Sequence, residues 1–158
     1  MMLARNAIAL TMLSDGMPII YQGQEQHFSG GKDPLDREAL WTSGYSTSSS
    51  VYDIIAYVNQ IRNHVLSVDT GYLTYQAWPI YTDDTTIATR KGSGDAAIIG
   101  VFTNLGSSAG SYTFSLGNTG YTAGAQIVEL VRCSLQNAGA DGVINVDMSG
   151  GDVRVSSV

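Results

Sequence analysis

Asp33, Asp36, Arg37 and Glu38 fall within the stretch Gly30-Gly31-Lys32-Asp33-Pro34-Leu35-Asp36-Arg37-Glu38. An ionised carboxylate only accepts hydrogen bonds, and a guanidinium offers a planar fork of donors. A sugar hydroxyl both donates and accepts, so Asp33 and Arg37 together can grip one. The same two residues also fit a plainer reading, a surface ion pair that contributes less than about 1 kcal/mol. The three carboxylates raise a further question, because retaining glycosidases use two carboxyl groups about 5 to 5.5 Å apart as acid and nucleophile. A turn or short helix splays neighbouring side chains towards solvent, so catalysis by Asp33, Asp36 and Glu38 is not expected.

Other chemically capable residues are more scattered. Glu25, in Gly23-Gln24-Glu25-Gln26, sits where an apolar run gives way to a polar loop. It can touch a ligand there or hold the groups behind one. His27 and His64 have no partner at metal-binding spacing, and are expected to be ordinary polar side chains. Trp41 and Trp78 offer flat faces for stacking, although tryptophan more often fills a core or a seam. The tyrosines at 72, 75, 81, 112 and 121 read as strand residues. Gly92 and Gly94 read as hairpin glycines, since no Lys-Ser/Thr follows as in a phosphate loop. Cys133 is the only cysteine, and alone it reads as an inert thiol or one half of a bridge.

Composition narrows the partners. Eight Lys and Arg against 14 Asp and Glu give a net charge of -6, which opposes binding to nucleic acid. Neutral sugars are compatible with it. With 44% hydrophobic and 14% charged residues, the chain is too apolar for disorder. No apolar run approaches the roughly 18 residues of a membrane helix, and no secretory leader follows Met1.

Two kinds of pattern position these residues. Residues 2–14 are rich in Ala, Leu, Met and Ile and read as a buried helix ended by Asp15-Gly16. Residues 17–21, Met-Pro-Ile-Ile-Tyr, read as a buried strand. Val51, Ile54, Ile55, Val58, Ile61, Val65 and Leu66 then recur at helical spacing, with capping candidates at 48–50. Helix, strand and helix make one and a half units of an α/β repeat. After Thr70 the pattern becomes short strands at 72–77, 85–90, 97–103, 111–116, 126–130, 143–148 and 153–156, separated by Gly, Asn, Asp and Ser turns. That spacing predicts an antiparallel β-sandwich.

The run Gly16-Met17-Pro18-Ile19-Ile20-Tyr21-Gln22-Gly23-Gln24-Glu25-Gln26-His27, the Asp33-Pro34-Leu35-Asp36-Arg37 loop, Trp78-Pro79-Ile80-Tyr81 and Gly120-Tyr121-Thr122-Ala123-Gly124 resemble fungal α-amylases over nearly the whole chain. The resemblance implies residues 1–70 as the last helix-strand-helix part of a (β/α)8 barrel and residues 71–158 as the C-terminal antiparallel β-sandwich. It implies that the full-length enzyme is secreted and monomeric, hydrolyses internal α-1,4-glucosidic bonds of starch with retention, and needs calcium. It also implies that the catalytic carboxylates and calcium ligands lie upstream of these residues. Asp33 and Arg37 match the family's binding site for a glucose unit, and Cys133 matches a cysteine bridged to one further downstream. A fragment of this kind is expected to be inactive and to self-associate. The alternative is a non-catalytic carbohydrate-binding or scaffold protein built on the β-domain.

Overall fold

A computed structural model describes residues 1–158. Helix α1 spans Met2–Leu13, where strong helix formers dominate, and Ile8, Ala9, Met12 and Leu13 form its buried stripe. Gly16, with φ of 89°, turns the chain away. Helix α2 spans Ser50–Val68, and the Ser49 hydroxyl caps it by accepting from the Val51 N–H at 3.2 Å. Its buried Val51, Ile54, Val58, Ile61 and Val65 follow the alternating three- and four-residue spacing of one helix face. No helix is long and apolar enough to cross a membrane.

Eight strands follow: β1 Trp78–Thr82, β2 Thr86–Lys91, β3 Ile98–Thr103, β4 Thr113–Leu116, β5 Gln126–Glu129, β6 Ser134–Asn137, β7 Ile144–Asp147 and β8 Arg154–Ser157. Six form an antiparallel sheet in the order β1-β2-β3-β8-β5-β6, while β4 and β7 pair as a separate two-stranded sheet. Both helices cover one face of the large sheet and the β4-β7 ribbon covers the other, giving three layers. The helical and strand-rich segments on either side of Thr70 therefore meet in one apolar core, where α1 and α2 pack with Ile98, Phe102, Val153 and Val155. The opposite face packs Ala88, Ile99, Val101 and Ile127 against Leu116, Ile144 and Val146.

Several expectations change. Residues 17–21 form no strand: Met17 is 87% and Ile19 76% exposed, and only Ile20 packs against the helical core. A parallel-type strand needs a neighbour on each edge, Pro18 lacks an N–H, and neither sheet here pairs with these residues. Residues 72–77 are not a strand either. Asp69 accepts from the Gly71 N–H at 2.8 Å and opens a 3-10 turn, Thr70–Leu73, so the first strand starts only at Trp78. Tyr72 and Tyr75 therefore lie outside strands, Tyr112 and Tyr121 fall just before β4 and in the β4-β5 connection, and only Tyr81 is in a strand. Strand β6, unanticipated, carries almost no apolar signal because it is the sheet's exposed edge.

Polar contacts pin α1 to the sheet. Arg5 forks onto both oxygens of Asp152 at 2.8 and 3.0 Å. Buried Asn6 donates to the Gly151 carbonyl at 2.8 Å and accepts from the Thr103 N–H at 2.9 Å. At the other end of α1, Arg62 donates to the Met12 carbonyl at 2.8 Å. Lys91, 3% exposed, reaches the Asp15 carboxylate at 2.6 Å and the Tyr75 carbonyl, and its ammonium lies 5.1 Å from the centre of the Tyr72 ring. The Lys91 hydrogen bond, helped by the Ala77 N–H, holds the Asp15 carboxyl below its ordinary value of 3.8. The Tyr72 hydroxyl beside it is buried without a partner, and burial pushes it up to about 12.

Two predictions follow from these contacts. Lys91→Ala strips Asp15 and the Tyr75 carbonyl of their donor and should cost about 2 kcal/mol, less than a fully buried pair because Asp15 is half exposed. Tyr72→Phe keeps the ring and removes an unsatisfied hydroxyl, so it should be neutral or stabilise by up to about 1 kcal/mol. Urea unfolding checks both, and a Tyr72→Phe loss as large as that of Lys91→Ala would contradict the assignment. In the β1-β2 turn, Asp83 accepts from the Tyr81 hydroxyl at 2.6 Å and from the Thr85 and Thr86 N–H groups at 2.7 Å, which lowers its carboxyl to about 2. Its contribution to stability is present above the ordinary 3.8 and lost as pH falls through about 2. A carboxyl-carbon NMR titration of Asp83 with a midpoint near 3.8 would contradict that hydrogen-bond set.

Candidate functional site

The segment between Tyr21 and Ser46 is held by local polar contacts. The Tyr21 N–H donates to Gln24 Oε1 at 2.6 Å, and the Gly23 N–H donates to Glu25 Oε2 at 2.8 Å. Gly23 has φ of 93°, and a Cβ there would lie 2.5 Å from the Phe28 ring, so both the turn and its packing require glycine. Gln26 Nε2 then donates to the Ser46 carbonyl at 2.8 Å, tying the two ends of the loop together. Glu25 is thus half-buried and spends one oxygen on its own turn.

Asp33 and Arg37 meet at 3.3 Å as an ion pair, with side chains 66% and 69% exposed. The turn beneath them is set by the Leu35 N–H on the Lys32 carbonyl at 2.7 Å and the Arg37 N–H on the Pro34 carbonyl at 3.0 Å. Exposure this high makes the pair a weak contributor to stability. It leaves the remaining donors of the guanidinium and the second carboxylate oxygen free for an incoming hydroxyl. A shallow hollow of about 360 Å³ lies alongside, lined by Ser29, Gly30, Pro34, Leu35 and Glu38. Asp33, Asp36 and Glu38 are all exposed to water. A general acid at neutral pH needs the opposite, a desolvated carboxyl.

Around this loop the surface is unusually apolar: Met17, Ile19, Tyr21, Leu35, Trp41 and Tyr45 are each more than half exposed. Trp41 at 72% and Trp78 at 51% exposure fill no core, contrary to the commoner role of tryptophan. Trp41 is open because residues 17–47 cross the surface without entering either apolar cluster except at Ile20, and Trp78 because it begins the edge strand β1. His27 and His64 are exposed. No three of the Asp, Glu, His and Cys side chains converge on a point that could hold a metal ion. Cys133 is an exposed free thiol at φ of 54°, with Sγ 3.7 Å from the Tyr57 hydroxyl of α2.

One group escaped the sequence reading. Arg90 at the end of β2 makes no hydrogen bond or ion pair, its Nε is buried without an acceptor, and it lines a hollow of about 270 Å³ with Ser93, Asp95, Tyr121 and Thr122. These residues come from separate turns, so no local spacing could have flagged them.

Residues 79–157 match the sequence family described as Alpha-amylase, domain C. The chain is 46% identical over 153 residues to Alpha-amylase 1 of Schwanniomyces occidentalis, and 44% identical over 153 residues to an α-amylase of Saccharomycopsis fibuligera. Each alignment covers 97% of this chain and 30% of the relative, so the chain spans about 30% of the length of the curated relatives it matches. A solved α-amylase from Malbranchea cinnamomea superposes with a TM-score of 0.92 at 41% identity, over 98% of this chain and 32% of that one. With a domain-C match over half its length, and relatives that align through the 21–46 loop as well, the chain belongs to the α-amylase family of glycoside hydrolases.

Proposed function

We propose that these residues serve an α-amylase that hydrolyses internal α-1,4-glucosidic bonds of starch with retention, and that Asp33 and Arg37 hold one glucose unit of the substrate. The observation that carries this reading is the paired, solvent-open Asp33–Arg37 couple on a loop tied at both ends, in a chain aligned over 97% of its length with fungal α-amylases. In this reading residues 1–70 are the last helix-strand-helix part of a (β/α)8 barrel and residues 71–158 are the C-terminal β-domain. The open apolar surface of Met17, Ile19 and Tyr21 supports it, because a barrel strand would cover such residues with neighbouring strands and helices. The catalytic carboxylates and the calcium ligands belong to other residues of the whole enzyme, which is secreted and monomeric. Cys133 bridges to a cysteine beyond these residues, and Glu25 acts by shaping the loop.

Loops after barrel strands open onto one face, so the Asp33 loop reaches a cleft shared with other strands. A glucose unit gripped away from the cut bond helps position that bond, and its binding is expressed in turnover as well as in affinity. Asp33→Ala or Arg37→Ala in the whole enzyme should cost about 1 to 3 kcal/mol in kcat/KM, the range of a lost charged hydrogen bond. The loss should be larger on long maltooligosaccharides than on substrates too short to reach that unit. Equal loss on both would place the two residues at folding or at the reacting centre instead. Residues 1–158 alone should release no reducing sugar from starch, and activity abolished by Asp33→Ala or Glu38→Ala in that polypeptide would overturn the assignment of catalysis to other residues.

A further inference from the structure

Residues 22–46 leave the helical body and return to it with few anchors. Every backbone hydrogen bond inside the segment is local, as from the Phe28 N–H to the Gly23 carbonyl and from the Gly44 N–H to the Trp41 carbonyl, both at 3.1 Å. Only one hydrogen bond spans it, from Gln26 Nε2 to the Ser46 carbonyl at 2.8 Å. Asp33 and Arg37 both lie on the chain between those two residues.

The two ends of that bond differ in firmness. Ser46 stands just before α2, and its hydroxyl accepts from the Ser48 N–H at 3.2 Å. Beyond it the Ser49 cap, the buried Val51 and the Arg5 guanidinium on the Ser50 carbonyl join the helix start to the core and, through Asp152, to the sheet. Gln26 belongs to the outgoing turn, where only Ile20 upstream reaches the core. Its amide therefore fastens the loose end to the firm one. Asp33 and Arg37 are too exposed to be oriented by packing, so the backbone beneath them sets their place. A displacement of about 1 Å would take such groups out of the range of about 2.7 to 3.2 Å in which they hydrogen-bond a bound ring.

We propose that Gln26 is a positioning residue for the reaction: by donating to the Ser46 carbonyl it holds the loop where Asp33 and Arg37 meet the glucose unit. This role rests on the function proposed above, in which Asp33 and Arg37 grip that unit. Gln26 acts through the loop and needs no contact with substrate. Limited trypsin digestion of the whole enzyme reads the tie without sugar, because Lys32 and Arg37 are exposed cleavage sites inside the loop. Gln26→Ala should speed cleavage there several-fold, and an unchanged rate would overturn the proposal. On maltoheptaose Gln26→Ala should lower kcat/KM about three- to tenfold, the range of one lost hydrogen bond, with a smaller loss on the shortest maltooligosaccharide the enzyme cleaves. In an Asp33→Ala background the same substitution should add less than about twofold, since the grip it positions is already gone. Gln26→Glu is the conservative variant: an ionised carboxylate cannot donate to the Ser46 carbonyl, whereas the protonated acid can. Relative to the parent at each pH, it should match Gln26→Ala at neutral pH and recover as pH falls through about 4.3. Full additivity with Asp33→Ala, equal loss on long and short substrates, or no recovery of Gln26→Glu in acid would overturn the proposal. Asp33→Ala without chain-length dependence would overturn the sugar-gripping role on which it rests, and the trypsin rates tell that failure from an absent tie.

Discussion

Strand β3 has no face left for water. All six of its residues are buried, with Ile98 and Phe102 directed to the helices and Ile99 and Val101 to the β4-β7 ribbon. A strand whose successive side chains alternate between faces can serve two cores only if both faces are apolar, and Ile-Ile-Gly-Val-Phe-Thr meets that condition. Gly100 marks the tightest point, since a Cβ there would lie 2.5 Å from the Phe102 ring and 3.5 Å from Leu13 of α1. Neither the helices nor the ribbon can bury its apolar side without this strand. Each large side chain so buried contributes about 1.5 to 3 kcal/mol, which makes β3 the segment on which both layers depend.

The seam between α1 and the sheet adds direction to that apolar attraction. Hydrophobic contact alone would let a helix slide, whereas Asn6 must find both the Gly151 carbonyl and the Thr103 N–H in one place. Arg5 with Asp152 at one end and Asp15 with Lys91 at the other fix the helix along its length. A buried polar group that loses its partner costs about 1 to 3 kcal/mol, so each of these contacts penalises a shifted helix. The functional consequence is a rigid base from which residues 17–47 leave and to which they return at α2. The Asp33–Arg37 pair is then free to be open to solvent without loosening the fold beneath it.

The legibility of the sequence varied with the source of each signal. Helix α2 was plain because its core contacts repeat on one face, and the β2-β3 hairpin was plain because both strands flank glycine turns. The five apolar residues at 17–21 misled because their pattern is that of a strand but no strand of either sheet pairs with them. The aromatic run at 72–77 misled because the Asp69 side chain imposes a turn on a segment of high strand propensity. Edge strand β6 was silent because Ser134, Leu135 and Asn137 face water and pair only with β5. Asp33 and Arg37 could be named because they are four residues apart in a recognisable loop, and the Arg90 group could not because it is assembled from turns far apart in sequence.

Both helices and the large sheet form one cooperative body, with the 17–47 segment carried outside it. Native-state hydrogen exchange of residues 1–158 under EX2 conditions tests this directly. Amides in α1, α2, β2, β3 and β8 should share the same, highest opening free energy, and amides from 17 to 47 should exchange with little protection. Helical amides that open at a free energy well below that of β3 would contradict the account, since the helices would then be separable from the sheet.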